Sequence, residues 1–312
     1  MAIESIANLM ADARARGYAI GYFESWNLES LQGVLDAAEH ASAPVAIGFN
    51  GEFLSKPDRL ARERLAIQAA LCTAAAASSP VPCAMVFNEC PSDSWVLSAA
   101  DLGFNLVMLV GQHTSYDDYL RRVKRVVEHC RPRGVAVEAE LDELPCGASG
   151  QVEGAGPMTD PNVAEKFVRD SGVDLFAISV GNVHIRTSGQ QALDLDHLAE
   201  LHKRIKVPLV LHGGSGIPGD SIQAAIRLGV AKVNYGTYLK QRYLTKLRQA
   251  AAWEETNPHE LLGLGGNRDI MVATRLAVRD AVLERIEDLR CEGKAQNWPR
   301  MSIAAGRKDK LP

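Results

Sequence analysis

The sequence lacks any uninterrupted apolar run that approaches the roughly 20 residues of a membrane-spanning helix. Its alanine-rich stretch from Ala69 to Ala77 is short and belongs to a helical pattern. The chain also opens without the charged and apolar segments of a secretory signal. We therefore expect a cytoplasmic protein that does not enter a membrane.

The sequence has neither an excess of basic residues nor paired cysteines. Its formal net charge is -4, which provides no basic face for a phosphate backbone. The six cysteines are scattered without CxxC spacing, which fits a reducing compartment. We expect a small molecule, rather than nucleic acid, as the partner.

A GxGxxG motif after the first strand is missing too, which argues against a dinucleotide-binding open sheet. The chain instead repeats a short apolar run followed by a longer amphipathic stretch. Eight such units predict a (β/α)8 TIM barrel, with a doubly wound open sheet as the structural alternative. The predicted strands are Ala19–Phe23, Val45–Phe49, Cys83–Phe87, Leu106–Leu109, Ala136–Glu140, Leu175–Ser179, Leu209–Leu211 and Lys232–Asn234.

One barrel accounts for a chain of this length, so we predict a single domain over residues 1–312, with a C-terminal helical extension and tail at about 272–312. Helical patterns such as Leu28–Ala41 and Tyr116–Arg131 lie between the predicted strands. In RPRGVAVEAE and DSGVDLFAIS a glycine directly precedes a strand, where it can end a helix in the left-handed conformation.

Chemistry in this fold collects where the strands end, because the βα loops converge there over the barrel mouth. His212 directly follows the apolar run VPLVL, and His184 lies a few residues after LFAISV. A lone histidine at a strand end is more often a hydrogen-bonded structural residue, but two on neighbouring strands can share a divalent metal. A catalytic site of this kind needs a third protein ligand, for which Glu89, Cys90 and Glu140 are available.

The glycine-rich segment HGGSG at 212–216 predicts an anion site. Backbone N–H groups in such a turn can hold a phosphate, although the run alone can also be only a tight turn. Asn234 and Thr237 would face it across the mouth. The expected phosphate and substrate contacts are Asn50, Gly181, Gly213, Gly214, Ser215, Asn234 and Thr237.

Five stretches of the chain are informative together. They are AIGYFESWNLESLQGVLDAAEHASAPVAI, VEAEL at 137–141, VGNVH at 180–184, LVLHGGSGIP at 209–218 and KVNYGT at 232–237. In order and spacing, over nearly the whole chain, they resemble the class II, metal-dependent ketose-bisphosphate aldolase family. The resemblance implies that His184 and His212 are two of the family's three histidine zinc ligands.

The sequence departs from that family after the third strand. The family carries His-x-Asp-His there, with the Asp transferring a proton and the last His binding the metal, whereas this chain has Val86-Phe87-Asn88-Glu89. In register, the resemblance places Asn88 at the catalytic position and Glu89 as the third ligand, although an amide takes up no proton at neutral pH. Alternatively, a bulge would make Glu89 the proton-transfer group and Cys90 the ligand.

Zinc is the metal that the resemblance implies, and the carboxylate of Glu89 would also suit Mn, Fe or Co. Glu24 stands where the family has Asn at the end of the first strand. We therefore expect a substrate pocket that differs from the family's. The candidates for proton transfer are Glu24, Glu89, Glu140 and His113.

Our first hypothesis is a divalent-metal-dependent aldolase that cleaves or forms a ketose phosphate, or a related polyhydroxy ketone, through an enediolate. An epimerase or isomerase using the same enediolate, and a non-catalytic sugar-phosphate-binding protein, are the alternatives. The resemblance further implies a mobile active-site loop at Asp142–Asp160 and a homo-oligomer, either a dimer or a tetramer.

Overall fold

Eight parallel strands close into a barrel in chain order, each pairing with the next and the last with the first. The structure is a computed structural model that describes residues 3–111, 114–141, 157–183, 190–296 and 298. The predicted (β/α)8 barrel is thus confirmed, and the doubly wound alternative is wrong. The strands are β1 Ile20–Ser25, β2 Val45–Asn50, β3 Cys83–Cys90, β4 Leu106–Leu109, β5 Ala136–Glu140, β6 Leu175–Ile178, β7 Leu209–Leu211 and β8 Val230–Tyr235.

The helices cover the outside of this barrel and leave their apolar sides against it. Within the described ranges, none of them is long and apolar enough to cross a membrane. They are α1 Ile6–Arg16, α2 Leu28–His40, α3 Gly51–Ser55, α4 Leu65–Ser78, α5 Asp93–Asp101, α6 Tyr116–Cys130, α7 Pro161–Ser171, α8 Leu195–Arg204, α9 Gly219–Arg227, α10 Thr237–Ala251, α11 Pro258–Leu261 and α12 Ile270–Leu289, with short 3-10 turns at Arg131–Arg133 and Gly214–Gly216.

Local sequence signals explain where these elements begin and end. Gly134 and Gly172 have φ angles of 68° and 72°, so both end a helical segment in the left-handed conformation, as the sequence predicts. At the other end, the side chain of Asn27 accepts a hydrogen bond from the backbone N–H of Ser30 and caps α2. The two glycines therefore return the chain within a few residues to β5 and β6 respectively.

The helix in the predicted C-terminal extension, α12, packs against α2 and α10 on the outside of the barrel. It buries Val278, Val282 and Ile286 in this contact layer. Arg275 forms a bidentate ion pair with Asp36 of α2, with N–O distances of 2.5 and 2.6 Å. Residues 299–312 of the predicted tail lie outside the described residues.

Strands β2 and β3 approach each other closely at Gly48. A Cβ atom at this position would stand 1.8 Å from the backbone oxygen of Val86. One of the two strands would have to move to relieve this clash. Since Asn50 and Asn88 are paired two residues further along the same two strands, this contact also fixes the strand ends at the mouth.

Replacement of Gly48 by alanine is expected to destabilise the protein by more than about 4 kcal/mol, because backbone must shift to admit the methyl group. Gly17, which has a φ of 67° and open space around its Cα, is the matched control. There, alanine should cost only the roughly 1–2 kcal/mol of a left-handed residue. Denaturant unfolding of the two variants checks this, and equal losses would contradict a close approach at Gly48.

Candidate active site and metal centre

A buried ion pair spans the inside of the barrel. The Nζ atom of Lys232 on β8 lies 2.8 Å from Oε2 of Glu138 on β5, and both side chains are fully buried. Since β6 and β7 separate these strands along the barrel wall, the contact must run across the lumen. Opposite charges that meet in this way compensate each other where water cannot.

His212 is joined to this pair from the end of β7. Its Nε2 atom lies 2.9 Å from Oε1 of Glu138, and its Nδ1 atom lies 2.9 Å from Oε1 of Glu89 and 3.4 Å from Oε2 of Glu140. The imidazole is only 2% exposed. Carboxylates therefore face both nitrogens of one buried ring.

These carboxylates decide the electrostatics of the site. Burial by itself would lower the pKa of His212, but hydrogen bonds to Glu138 and Glu89 outweigh it and raise the pKa to about 10. Burial likewise favours the neutral form of Glu138, yet the charge of Lys232 and the hydrogen bond from His212 lower the pKa of this carboxyl. The end of the lumen is thus an acidic concavity that holds positive charge.

Glu89 reaches His212 because β3 is irregular at its end. The pairing of β3 with β4 shifts register between Phe87 and Cys90, and Glu89 has a φ of 50°. A left-handed side-chain-bearing residue costs about 1–3 kcal/mol and is typical of functional sites. The amide of Asn50 donates to Oε2 of Glu89 at 2.6 Å and holds the carboxylate in place.

Cys90, the alternative ligand, has different neighbours. Its Sγ atom lies 3.8 Å from the hydroxyl oxygen of Ser55 and 3.6 Å from the backbone oxygen of Ser92. Burial raises the pKa of this thiol to about 11. The register shift in β3 shows that the bulge considered from the sequence is present. It turns Glu89, and not Cys90, toward His212.

Asn182, in the VGNVH segment, fixes the backbone around the histidine. Its side-chain amide donates to the backbone oxygens of Ile178 and His212 at 3.2 and 3.1 Å, and its Oδ1 atom accepts from the N–H of Val180. This buried side chain ties the end of β6 to the end of β7. His184 follows it by two residues but lies outside the described residues, as do His113 and residues 142–156 of the expected loop.

The glycine-rich turn after β7 sits against the start of α10. A Cβ at Gly214 would stand 2.6 Å from the side chain of Val233, so only glycine lets the turn lie this close to β8. The hydroxyl of Ser215 accepts a hydrogen bond from the backbone N–H of Tyr238 at 3.1 Å. The turn and the helix N-terminus beginning at Thr237 together present an electropositive end of backbone to the mouth.

A cavity of about 200 Å³ opens between these elements. Asn88 and Asn234 line it, and the amide of Asn234 lies 3.5 Å from Oδ1 of Asn88. Glu24 forms an ion pair with Lys240 at its edge. Its lining includes Asn50, Glu89, Gly213, Ser215 and Thr237 among the residues expected from the sequence.

Gly181 and Glu140 complete the expected set. Gly181 has a φ of 96° in the turn after β6, a conformation that glycine adopts readily. Glu140 ends β5 with its side chain 18% exposed. Among the described residues, no three His, Cys, Asp or Glu side chains form a complete metal-binding group.

Sequence reasoning missed Glu138, Lys232, Asn182 and Lys240. The first two carried a usable signal, because each lies one alternation below a mouth residue of the same strand, Glu140 and Asn234 respectively. Charged residues at such inward-facing positions must find partners across the lumen. Asn182 and Lys240 act through contacts between distant segments, for which one sequence gives no pattern.

The model of the family described as fructose-bisphosphate aldolase class-II matches residues 4–294. This chain belongs to that family. A fructose-bisphosphate aldolase of Streptococcus pneumoniae serotype 4 is 33% identical over 299 residues, which cover 95% of this chain and 100% of that relative. The resemblance inferred from the strand-end motifs is thereby confirmed.

Solved structures agree with the fold, and one of them also agrees with this family assignment. The YdjI aldolase of Escherichia coli K12 is 28% identical, with a TM-score of 0.77 over 94% of this chain and 100% of that one. Fructose-bisphosphate aldolase from Campylobacter jejuni has a TM-score of 0.73 over 93% of this chain and 96% of that one, and at 21% identity it supports the fold alone.

Membership of the aldolase family confirms the expected activity, a divalent-metal-dependent lyase. The epimerase or isomerase and the non-catalytic binding protein are not favoured by these matches. The identity of the metal, the homo-oligomer and the roles of the individual site residues stay predictions.

Replacement of Lys232 by methionine should lower the free energy of unfolding by about 3–5 kcal/mol, because it leaves Glu138 buried without its cation. Exposed Lys206, whose ammonium contacts only a backbone oxygen among the described residues, is the matched control for losing one lysine. Adding Glu138→Gln to Lys232→Met should restore part of the loss. If Lys232→Met unfolds at the same denaturant concentration as Lys206→Met, the account of the pair is wrong.

Proposed function

We propose that this aldolase cleaves and forms a ketose phosphate at the mouth of the barrel, with a divalent ion held by Glu89, His184 and His212. The observation that carries the proposal is the approach of Glu89 to the Nδ1 atom of His212 at 2.9 Å, beside the glycine-rich turn. A sugar phosphate is the substrate class that the family implies.

The donor set fits a divalent cation. Imidazole nitrogen and carboxylate oxygen are ordinary ligands of Zn²⁺ and its neighbours, and Glu138 on Nε2 of His212 leaves Nδ1 directed at Glu89 and Glu140. Three carboxylates surround this ring, and a divalent ion would offset part of their charge. We propose zinc by family likeness, with Mn, Fe or Co as the ions that the carboxylate of Glu89 would also suit.

A bound divalent ion would polarise the ketone of the substrate and favour the negative charge that develops on its oxygen. The chain's own residues prepare for this. Lys232 keeps Glu138 ionised, and Glu138 in turn fixes the orientation of His212. Asn50 and the bulge hold Glu89 against the same ring.

The phosphate is proposed to bind between the Gly213–Ser215 turn and the first N–H groups of α10 at Thr237. Two residues that line the adjoining cavity carry polar atoms that support a hydroxyl-rich ligand. Within the described part of the chain, the hydroxyl of Tyr22 and Oδ1 of Asn234 are buried without a hydrogen-bond partner, and both residues line the cavity. A sugar hydroxyl can donate to the amide oxygen and accept from the phenol.

For proton transfer we propose Glu140. The side-chain amide of Asn88 cannot take up a proton at neutral pH, and the carboxylate of Glu24 is paired with Lys240. Glu140 ends β5 at the mouth, remains partly exposed, and lies beside His212. Its proposed role is to accept the proton of the hydroxyl group from which the carbon–carbon bond breaks.

The substrate class is tested by assaying metal-loaded protein against a panel of ketose mono- and bisphosphates. We expect cleavage of at least one of them into two carbonyl fragments. Exchange of substrate hydrogen with solvent deuterium without fragmentation would indicate an isomerase instead. Complete inactivity across the panel, with metal bound, would contradict the proposal.

Glu89→Ala should empty the metal site, whereas Cys90→Ala should leave it filled, because Glu89 contacts His212 and the thiol of Cys90 contacts Ser55 instead. Elemental analysis of the two purified variants beside the unchanged protein measures this directly. Thermal unfolding of each variant controls for loss of the fold. Loss of metal from the Cys90 variant alone would assign the ligand to the thiol.

Glu140→Gln should reduce kcat by about 100- to 10,000-fold while the protein still binds metal, because glutamine cannot carry the proton. Glu128→Gln, an exposed residue on α6, provides the matched control and should retain full activity. Steady-state kinetics on the cleaved ketose phosphate, with metal content measured in parallel, makes the test. A fully active Glu140→Gln enzyme would show that another residue transfers the proton.

A further inference from the structure

Lys240 lies at the mouth, and neither the metal site nor the proton transfer proposed above uses it. We propose that Lys240 binds the anionic group of the substrate, and that Glu24 holds its ammonium at the cavity wall. This inference rests on the proposed function, since it concerns the phosphate of the same substrate. It adds a charged side chain to a site otherwise built from backbone N–H groups.

The position of Lys240 points to this role. It lies in the first turn of α10, three residues after Thr237, and lines the same cavity as Gly213 and Ser215. Its side chain is 32% exposed, so a ligand in the cavity can reach it. The ammonium is therefore next to the backbone groups that favour an anion.

Aromatic rings hold the ammonium over the cavity. The Nζ atom lies 4.4 Å from the centre of the Phe53 ring and 5.8 Å from the centre of the Trp26 ring. Both distances lie within the range of cation–π attraction. Phe53 is itself placed by α3, whose first turn is capped by Asn50. The lysine is thus fixed by the elements that also hold Glu89.

The ammonium has hydrogen-bonding capacity left for a ligand. A lysine carries three N–H donors. In the part of the chain that the structure describes, its one charged partner is Oε1 of Glu24, and its other contacts are the two rings. A phosphate oxygen can therefore join Glu24 at the same ammonium.

Glu24 acts on the same anion with the opposite sign. Its Oε2 atom lies 2.5 Å from where a Cβ of Gly236 would stand, directly before the first residue of α10. The N-terminus of a helix favours negative charge, and the carboxylate of Glu24 already lies there. It therefore repels a second anion at the same place. Lys240 and Glu24 should therefore affect phosphate binding in opposite directions, which a purely structural ion pair would not do.

The experiment is calorimetric titration of the full-length protein with inorganic phosphate, which requires no turnover. Lys240→Met should raise the Kd for phosphate about ten-fold or more, because a hydrogen bond to a charged group is lost. Lys240→Arg should recover part of the affinity. Glu24→Gln should lower the Kd below that of the unchanged protein. Lys246→Met, on the same helix but away from this cavity, should leave the Kd unchanged and controls for net charge.

Two sets of results overturn the inference. If Lys240→Met binds phosphate as the unchanged protein does, or if the unchanged protein binds none, Lys240 is not an anion-binding residue. If both pair variants weaken binding equally and unfold at lower temperature, the pair is structural. Because phosphate binding is separate from cleavage, an enzyme that shows the opposite effects but cleaves no ketose phosphate would refute the proposed function alone.

Discussion

The structure of the mouth depends on the imidazole of His212, which has carboxylates at both of its nitrogens. Glu138 meets Nε2 from the lumen, and Glu89 meets Nδ1 from the mouth side. Each of these carboxylates is held by a further residue, Lys232 for Glu138 and Asn50 for Glu89. The position of one ring is thus set from four strands, and a metal site proposed there inherits that rigidity. Such support is what lets a catalytic group keep its geometry through a reaction.

The barrel makes this convergence possible. Residues on β3, β5 and β8, far apart in the chain, point into one lumen because the strands close in order and their side chains alternate. At the mouth the irregular end of β3 then turns Glu89 inward, at the cost of a left-handed backbone. The glycine-rich turn after β7 comes close to β8 for a different reason, since Gly214 leaves no side chain between them. Positive charge and backbone N–H groups consequently lie beside an acidic concavity, an arrangement suited to a ligand that carries both a phosphate and a ketone.

Much of this could be predicted from the sequence, because periodic patterns and strand-end residues are local. The eight strands were predicted with errors of a few residues at their ends, and β3 extends furthest beyond its expected boundary, to Cys90. The bulge could be considered but not decided, since either Glu89 or Cys90 satisfies the pattern. The contact of Glu138 with His212 and the contact between Glu24 and Lys240 were missed for a physical reason. They join segments separated by tens to hundreds of residues, and only the closed barrel brings them together.

The most direct test of the central claim, that His212 and Glu89 are held ready to share a divalent ion, is a crystal structure of the metal-loaded protein with diffraction data collected at the absorption edge of that metal. We predict an anomalous peak about 2.0–2.2 Å from Nδ1 of His212 and from a carboxylate oxygen of Glu89, with Nε2 still bonded to Glu138. A peak bonded to Nε2, or one at Cys90 with Glu89 turned away, would contradict the account.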